Sequence, residues 1–121
     1  MTDKELLELA AKAAGIEIDK SEFNGGGAGN DGFDIMGNAV LDWHNGTTWN
    51  PLTDDGDALR LAVKIGLSHG LDVILTNRSA HADLDGAGVS QNWFAEEHDG
   101  DPFAATRRAI VRSAAEIGKA A

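Results

Sequence analysis

The chain has 121 residues, 42% of them hydrophobic, with 20 acidic against 10 basic side chains and a formal net charge of -10. That size and apolar content suit one domain with a modest core, so a single domain over residues 1–121 is expected. The lack of cysteine excludes a disulfide framework and a thiolate metal site, and the surplus of acid argues against direct binding to nucleic acid or an anionic membrane, which reward Lys and Arg.

The acid is unevenly placed. Residues 1–57 hold twelve Asp and Glu against three Lys, whereas residues 103–121 hold four Lys and Arg against one Glu. Such a surface keeps a protein soluble, and it also carries the charge of a nucleic-acid mimic facing a basic partner. Met1-Thr2-Asp3-Lys4-Glu5 has neither the basic nor the apolar region of a signal peptide. With no cysteine either, a cytoplasmic location is expected, and because no apolar run approaches the roughly 18 to 20 residues of a membrane span, a soluble protein is expected too.

Residues 2–14 begin with Thr2 and Glu5 in capping-box spacing and place Leu6, Leu9, Ala10 and Ala13 on one stripe, which predicts an amphipathic helix ended by Gly15. Ile16-Glu17-Ile18 reads as short and extended. Residues 24–32 hold five glycines and read as a flexible connection, because there is little side-chain bulk to bury and much backbone freedom to lose. A phosphate cradle is weighed against by the lack of GxxxxGK[ST] and of a following helix pattern.

From residue 33 to 49 the pattern is strand, turn and strand, with Asn45-Gly46 as the hairpin signal. Trp43 and Trp49 then fall on the two arms as a cross-strand aromatic pair. Pro51 ends the second arm, and Thr53 or Asp54 caps a helix whose first turn carries Asp55 and Asp57. Ala58, Leu59, Leu61, Ala62, Val63 and Ile65 leave only Arg60 and Lys64 as strongly polar positions, a pattern that predicts deep burial against a sheet, with Gly66 or Gly70 as the stop.

Residues 71–76 form a β-branched run of strand length, and residues 88–95 alternate well enough to be its hairpin partner, with residues 77–86 as a polar, turn-rich connection. Asp101 caps a last helix with Pro102 in its first turn, and Phe103, Ile110, Ala114 and Ile117 follow core spacing. Arg107, Arg108 and Arg112 fall off that stripe, either as a solvated basic face or as an interface for an acidic partner or a second copy. The predicted fold class is therefore α+β, a small α-β-α sandwich of about three helices and a mainly antiparallel sheet of about four strands.

Chemistry-bearing motifs are sparse. His44, His69, His81 and His98 are scattered without an i,i+4 pair or HExxH, and Ser79 and Ser90 lack a nucleophile elbow, so no catalytic residue, metal site or cofactor is predicted. The best candidate for a small anionic ligand is the loop of Arg78, Ser79 and His81, with Trp43 and Trp49 as candidate walls of a pocket within one subunit or between two. An enzyme working by carboxylate acid–base chemistry is a third reading, which requires a fold that buries and pairs those groups.

The succession helix, hairpin, the segment Trp49-Asn50-Pro51-Leu52-Thr53-Asp54-Asp55-Gly56-Asp57-Ala58-Leu59-Arg60-Leu61-Ala62-Val63, two strands, then Ala105-Thr106-Arg107-Arg108-Ala109-Ile110-Val111-Arg112, resembles small proteins encoded by phages and prophages, of the group described as phage α-β-α sandwich domains. The stretch 24–32 looks like an insertion relative to that pattern. The resemblance implies a noncatalytic accessory protein of the bacterial cytoplasm, with no catalytic residues to carry over. By analogy of class it implies counter-defence, either by covering a host protein or by sequestering a signal nucleotide.

Overall fold

Local chemistry starts each helix where the caps stand. A computed structural model describes residues 1–21, 31–85 and 92–121 of the chain. Helix α1 runs Asp3–Ala14; Thr2 Oγ1 accepts from Glu5 N–H at 3.2 Å, and Gly15, at φ 70°, closes the far end in the left-handed region. Helix α2 runs Asp55–His69 behind Asp54, whose carboxylate accepts from Asp57 N–H at 2.8 Å. Helix α3 runs Pro102–Ala120 behind Asp101, which accepts from Ala104 N–H at 3.0 Å. The expected glycine-rich loop lies outside the described residues except for Asp31 and Gly32, as do residues 88–91 of the expected second strand.

The described strands form two antiparallel sheets, which together with the three helices make an α+β fold. Strands β1 (Ala39–Asp42) and β2 (Thr47–Trp49) form the expected hairpin, turning at Gly46 with φ 71°. Their register opposes Ala39 to Trp49 and Asp42 to Thr47, with an irregularity between Val40 and Asp42. Trp43 falls in the turn beyond β1 and has no cross-strand Trp49, so the aromatic pair expected on this hairpin does not form. The ladder closes at Asp42 opposite Thr47, which leaves Trp43 in the four-residue turn, while Trp49, opposite Ala39, is buried in the core.

Strands β3 (Leu71–Leu75), β4 (Ser79–Leu84) and β5 (Trp93–Glu97) form the second sheet in that order. The connection expected over 77–86 is thus mostly a strand, and it is the central one. The partner of β3 is β4, opposing Val73 to Ala82, while β5 pairs with the other side of β4, opposing Ala82 to Phe94. Ala80, Ala82 and Leu84 alternate inward with Ser79, His81 and Asp83 outward. Small alanines replace the usual β-branched residues because α3 lies against this face.

Helix α3 is the centre of the molecule. It is buried at Ala105, Ala109, Ile110, Val111 and at every position from Ser113 to Gly118, packed on β4 and β5, on α1 and on α2. Its Ala-rich surface lets α1 come so close that a Cβ added at Gly118 would overlap the Leu9 carbonyl. Leu7, Leu61, Ile65, Leu84, Val40 and Val111 are enclosed in this core, each worth about 1.5 to 3 kcal/mol relative to exposure. Ser113, also enclosed, donates its hydroxyl to Ala109 O at 3.0 Å.

Two expectations about burial are corrected. Phe103 is 67% exposed, since it stands in the first turn of α3 before the first buried position, Ala105. Helix α2 buries only Ala58, Leu61 and Ile65, so it is the least covered of the three helices rather than the most deeply buried.

Candidate functional site

Asn50 sets how the hairpin meets α2. Its N–H donates to Asp57 Oδ2 at 2.9 Å, its side-chain amide donates to Asn38 Oδ1 at 3.0 Å, and its Oδ1 accepts from Leu52 N–H at 3.0 Å. Its carbonyl accepts from Asp54 N–H at 2.9 Å. The side chain is buried with its polar groups satisfied, so it acts as a structural joint.

The predicted ligand loop is partly assembled. Ser79 Oγ and His81 Nε2 are 2.7 Å apart on the outward face of β4, and the His81 ring meets Trp93 edge-on at 4.6 Å between centroids. Ile74, opposite His81 in the register, shares that face. Arg78 is exposed in the turn between β3 and β4, where Thr76 Oγ1 accepts from the N–H groups of Arg78 and Ser79. Trp43 and Trp49 belong to the other sheet's hairpin: the Trp43 indole donates to Asp19 O at 2.8 Å, and Trp49 packs in the core. Trp93 is a neighbour not legible from sequence spacing alone; its signal was its place in the alternating run 88–95.

The Asp19 carboxylate, held by Ser21 and then by the Trp43 N–H at 3.2 Å, has its pKa lowered from the ordinary 3.8. Asp31 is likewise lowered, first by the Lys4 ammonium at 2.7 Å and then by the Phe33 N–H. Both shifts come from donors to the charged form. They mark loop anchors and not a proton-transfer pair.

The three candidate interface arginines are used inside the fold. Arg107 donates to Leu52 O at 2.8 Å and to Asp55 at 2.6 Å, tying α3 to the start of α2. Arg108 bridges to Asp3 of α1 at 3.1 Å. Arg112 pairs with Glu96, donates to Ala95 O at 3.3 Å and lies 5.5 Å from the Phe94 ring centroid. This basic stripe stitches α3 to its neighbours.

A cleft lined by Asp3, Thr53, Glu96, His98, Asp101 and Arg108 lies where the starts of all three helices converge. The His98 Nε2 is enclosed there without a partner among the described residues. The helix starts are already taken by the chain's own acceptors, Thr2, Asp54 and Asp101, and the two carboxylates repel an incoming phosphate. Among the described residues no group of three or more His, Cys, Asp or Glu is placed to hold a metal ion, and no helix is long and apolar enough to cross a membrane.

One open surface among the described residues is apolar. Leu59, Val63 and Leu67 stand at i, i+4 and i+8 on α2 and are 65%, 53% and 85% exposed, forming a shallow groove with Arg60 and Lys64. Helix α2 runs through Gly70 into β3, where Val73 and Leu75 are also exposed. A row of large aliphatic side chains in water is the signature of an interaction surface. Comparison with protein-family models, with curated proteins and with solved structures finds no match for this chain.

Proposed function

We propose that this is a noncatalytic binding protein that acts through a protein–protein contact, with the α2 stripe and the exposed β3 strand as its contact surface. The observation that carries the reading is the Leu59, Val63 and Leu67 row, which costs solubility and contributes nothing to the core. The internal pairing of Arg107, Arg108 and Arg112 supports it from the other side, because it moves the interface away from the basic stripe. With the resemblance to phage α-β-α sandwich domains, the reading becomes a phage or prophage accessory protein that covers a partner in the bacterial cytoplasm, in the manner of a counter-defence protein. Sequestration of a nucleotide signal by Arg78, Ser79 and His81 is the weaker alternative: they occupy an open sheet face and turn, without Trp43 and Trp49.

The test is paired affinity capture and native mass spectrometry with wild-type and Val63→Glu protein. The expected result is a bound protein species, another chain or a second copy, that the charged variant loses while keeping its circular dichroism spectrum. Equal binding by both forms would remove the α2 surface from the function.

A further inference from the structure

The three-stranded sheet has two edges, and the chain treats them differently. Thr76 N–H donates to Ser79 O at 2.9 Å and Asp85 N–H to Gly70 O at 3.4 Å. Antiparallel alternation then assigns Asp72 and Ile74 to the ladder with β4 and points the backbone N–H and C=O of Leu71, Val73 and Leu75 out of the sheet. On the opposite edge, the bonds from Leu84 N–H to Asn92 O and from His98 N–H to Arg78 O, both 2.8 Å, turn Trp93, Ala95 and Glu97 outward. There Arg112 occupies the Ala95 carbonyl, and Glu96 and Glu97 add charge, so the β5 edge is guarded. Among the described residues nothing bonds to the outward groups of β3.

We infer that β3 pairs antiparallel with β3 of a second copy across a two-fold axis at Val73, joining two three-stranded sheets into one of six, while α2 packs on the partner's α2 along Leu59, Val63 and Leu67. This rests on the reading of that surface as a protein-binding one, and it gives the surface to a second copy in place of a host protein.

The argument for a second copy is self-complementarity, which an isologous interface requires. Centred on Val73, the strand Leu71-Asp72-Val73-Ile74-Leu75 sets Leu71 against the partner's Leu75 and Val73 against the partner's Val73. Asp72 then faces the partner's Ile74, so no like charges oppose each other. The outward groups of Leu71, Val73 and Leu75 meet their counterparts as hydrogen-bonded pairs. The helix has the same symmetry. Centred on Val63 in antiparallel packing, Leu59 meets the partner's Leu67, Asp57 meets the partner's His69, and Lys64 meets the partner's Ala62. Antiparallel helix dipoles also attract.

The area suffices as well. Leu59, Val63, Leu67, Val73 and Leu75 expose on the order of 400 Å2 per copy, and two copies with their flanking residues bury about 1,000 Å2, the lower bound of a specific interface.

The test is sedimentation velocity together with backbone amide exchange on the full chain across micromolar concentrations. The expected result is a dimer in which the amides of Leu71, Val73 and Leu75 gain protection as concentration rises, while those of Trp93, Ala95 and Glu97 do not. Val73→Pro, at a position whose N–H the β3–β4 ladder does not use, and Leu67→Glu, at the most exposed site of the stripe, should each weaken the dimer by about 100-fold. A monomer throughout the range would overturn the inference, and so would a dimer whose Leu71, Val73 and Leu75 amides exchange equally fast at every concentration. A monomer that still captures a different protein through the α2 stripe would overturn the second copy alone and leave the proposed function standing.

Discussion

Helices α2 and α3 invert the usual link between apolar sequence and burial. Helix α3 carries three arginines and a lysine yet is enclosed along its second half, while α2 carries Leu59, Val63 and Leu67 in the open. The difference is one of side-chain size and position. Alanine and glycine let α3 approach the sheet and α1 closely, and long arginine stems reach past the core to pair at its border. Helix α2 uses one narrow side, Ala58, Leu61 and Ile65, to attach itself. Apolar content therefore reports total demand for burial, and only topology says whether the same chain supplies the cover.

The contrast can be attacked first at α3. Gly118→Val places a branched side chain against the Leu9 backbone, which cannot yield as a flexible side chain can, and should cost about 3 kcal/mol or more in urea unfolding. Leu7→Ala, which opens a cavity in the α1 side of the same packing, should cost about 3 kcal/mol. Next comes the joint to α2: Asn50→Ala leaves the Leu52 N–H and the Asn38 Oδ1 without this partner in a part-buried site and should cost about 1 to 2 kcal/mol. A change there within 0.5 kcal/mol, the ordinary surface range, would mean that α2 is held by its apolar side alone.

On the exposed side of α2 the prediction reverses. At dilution Leu67→Ala should change stability by about 0.5 kcal/mol or less, since that side chain touches little of its own chain. A larger cost that grows with protein concentration would instead report a covered stripe.

The smallest effect is expected at Asp19, which is half-buried at the border of the fold. Its pKa is lowered in the folded state, so its hold on Ser21 and Trp43 is complete above the ordinary value of 3.8 and is lost as pH falls through the depressed folded value. Proton NMR of the Trp43 backbone amide should therefore titrate only below pH 3.8, and an amide shift centred near neutral pH would contradict the assignment.

Helix ends were the most legible part of the sequence, because capping is a local event: Thr2, Asp54, Asp101 and Gly15 act where their spacing placed them. The β1–β2 hairpin was legible for the same reason. Strand β4 was hidden because Ser79-Ala80-His81-Ala82-Asp83-Leu84 has period-two burial but weak β propensity, its alanines being chosen by the distant α3. The arginines of α3 could be seen but their partners could not, since Asp55, Asp3 and Glu96 meet them only through tertiary folding. The exposure of α2 was illegible in principle, because an all-round apolar pattern does not say which molecule supplies the cover.

The bare β3 edge sits on a molecule of net charge -10, with Asp72 the one charged residue in the strand. Any two copies approach through a mutually repulsive field that reaches about 30 Å at 0.01 M ionic strength and only about 8 Å at 0.15 M. Raising the salt thus lowers the barrier to encounter without weakening the aliphatic contact itself. Ionic strength becomes a control knob for any contact between copies at this edge, opposite in direction to its effect on a partner held by opposite charge.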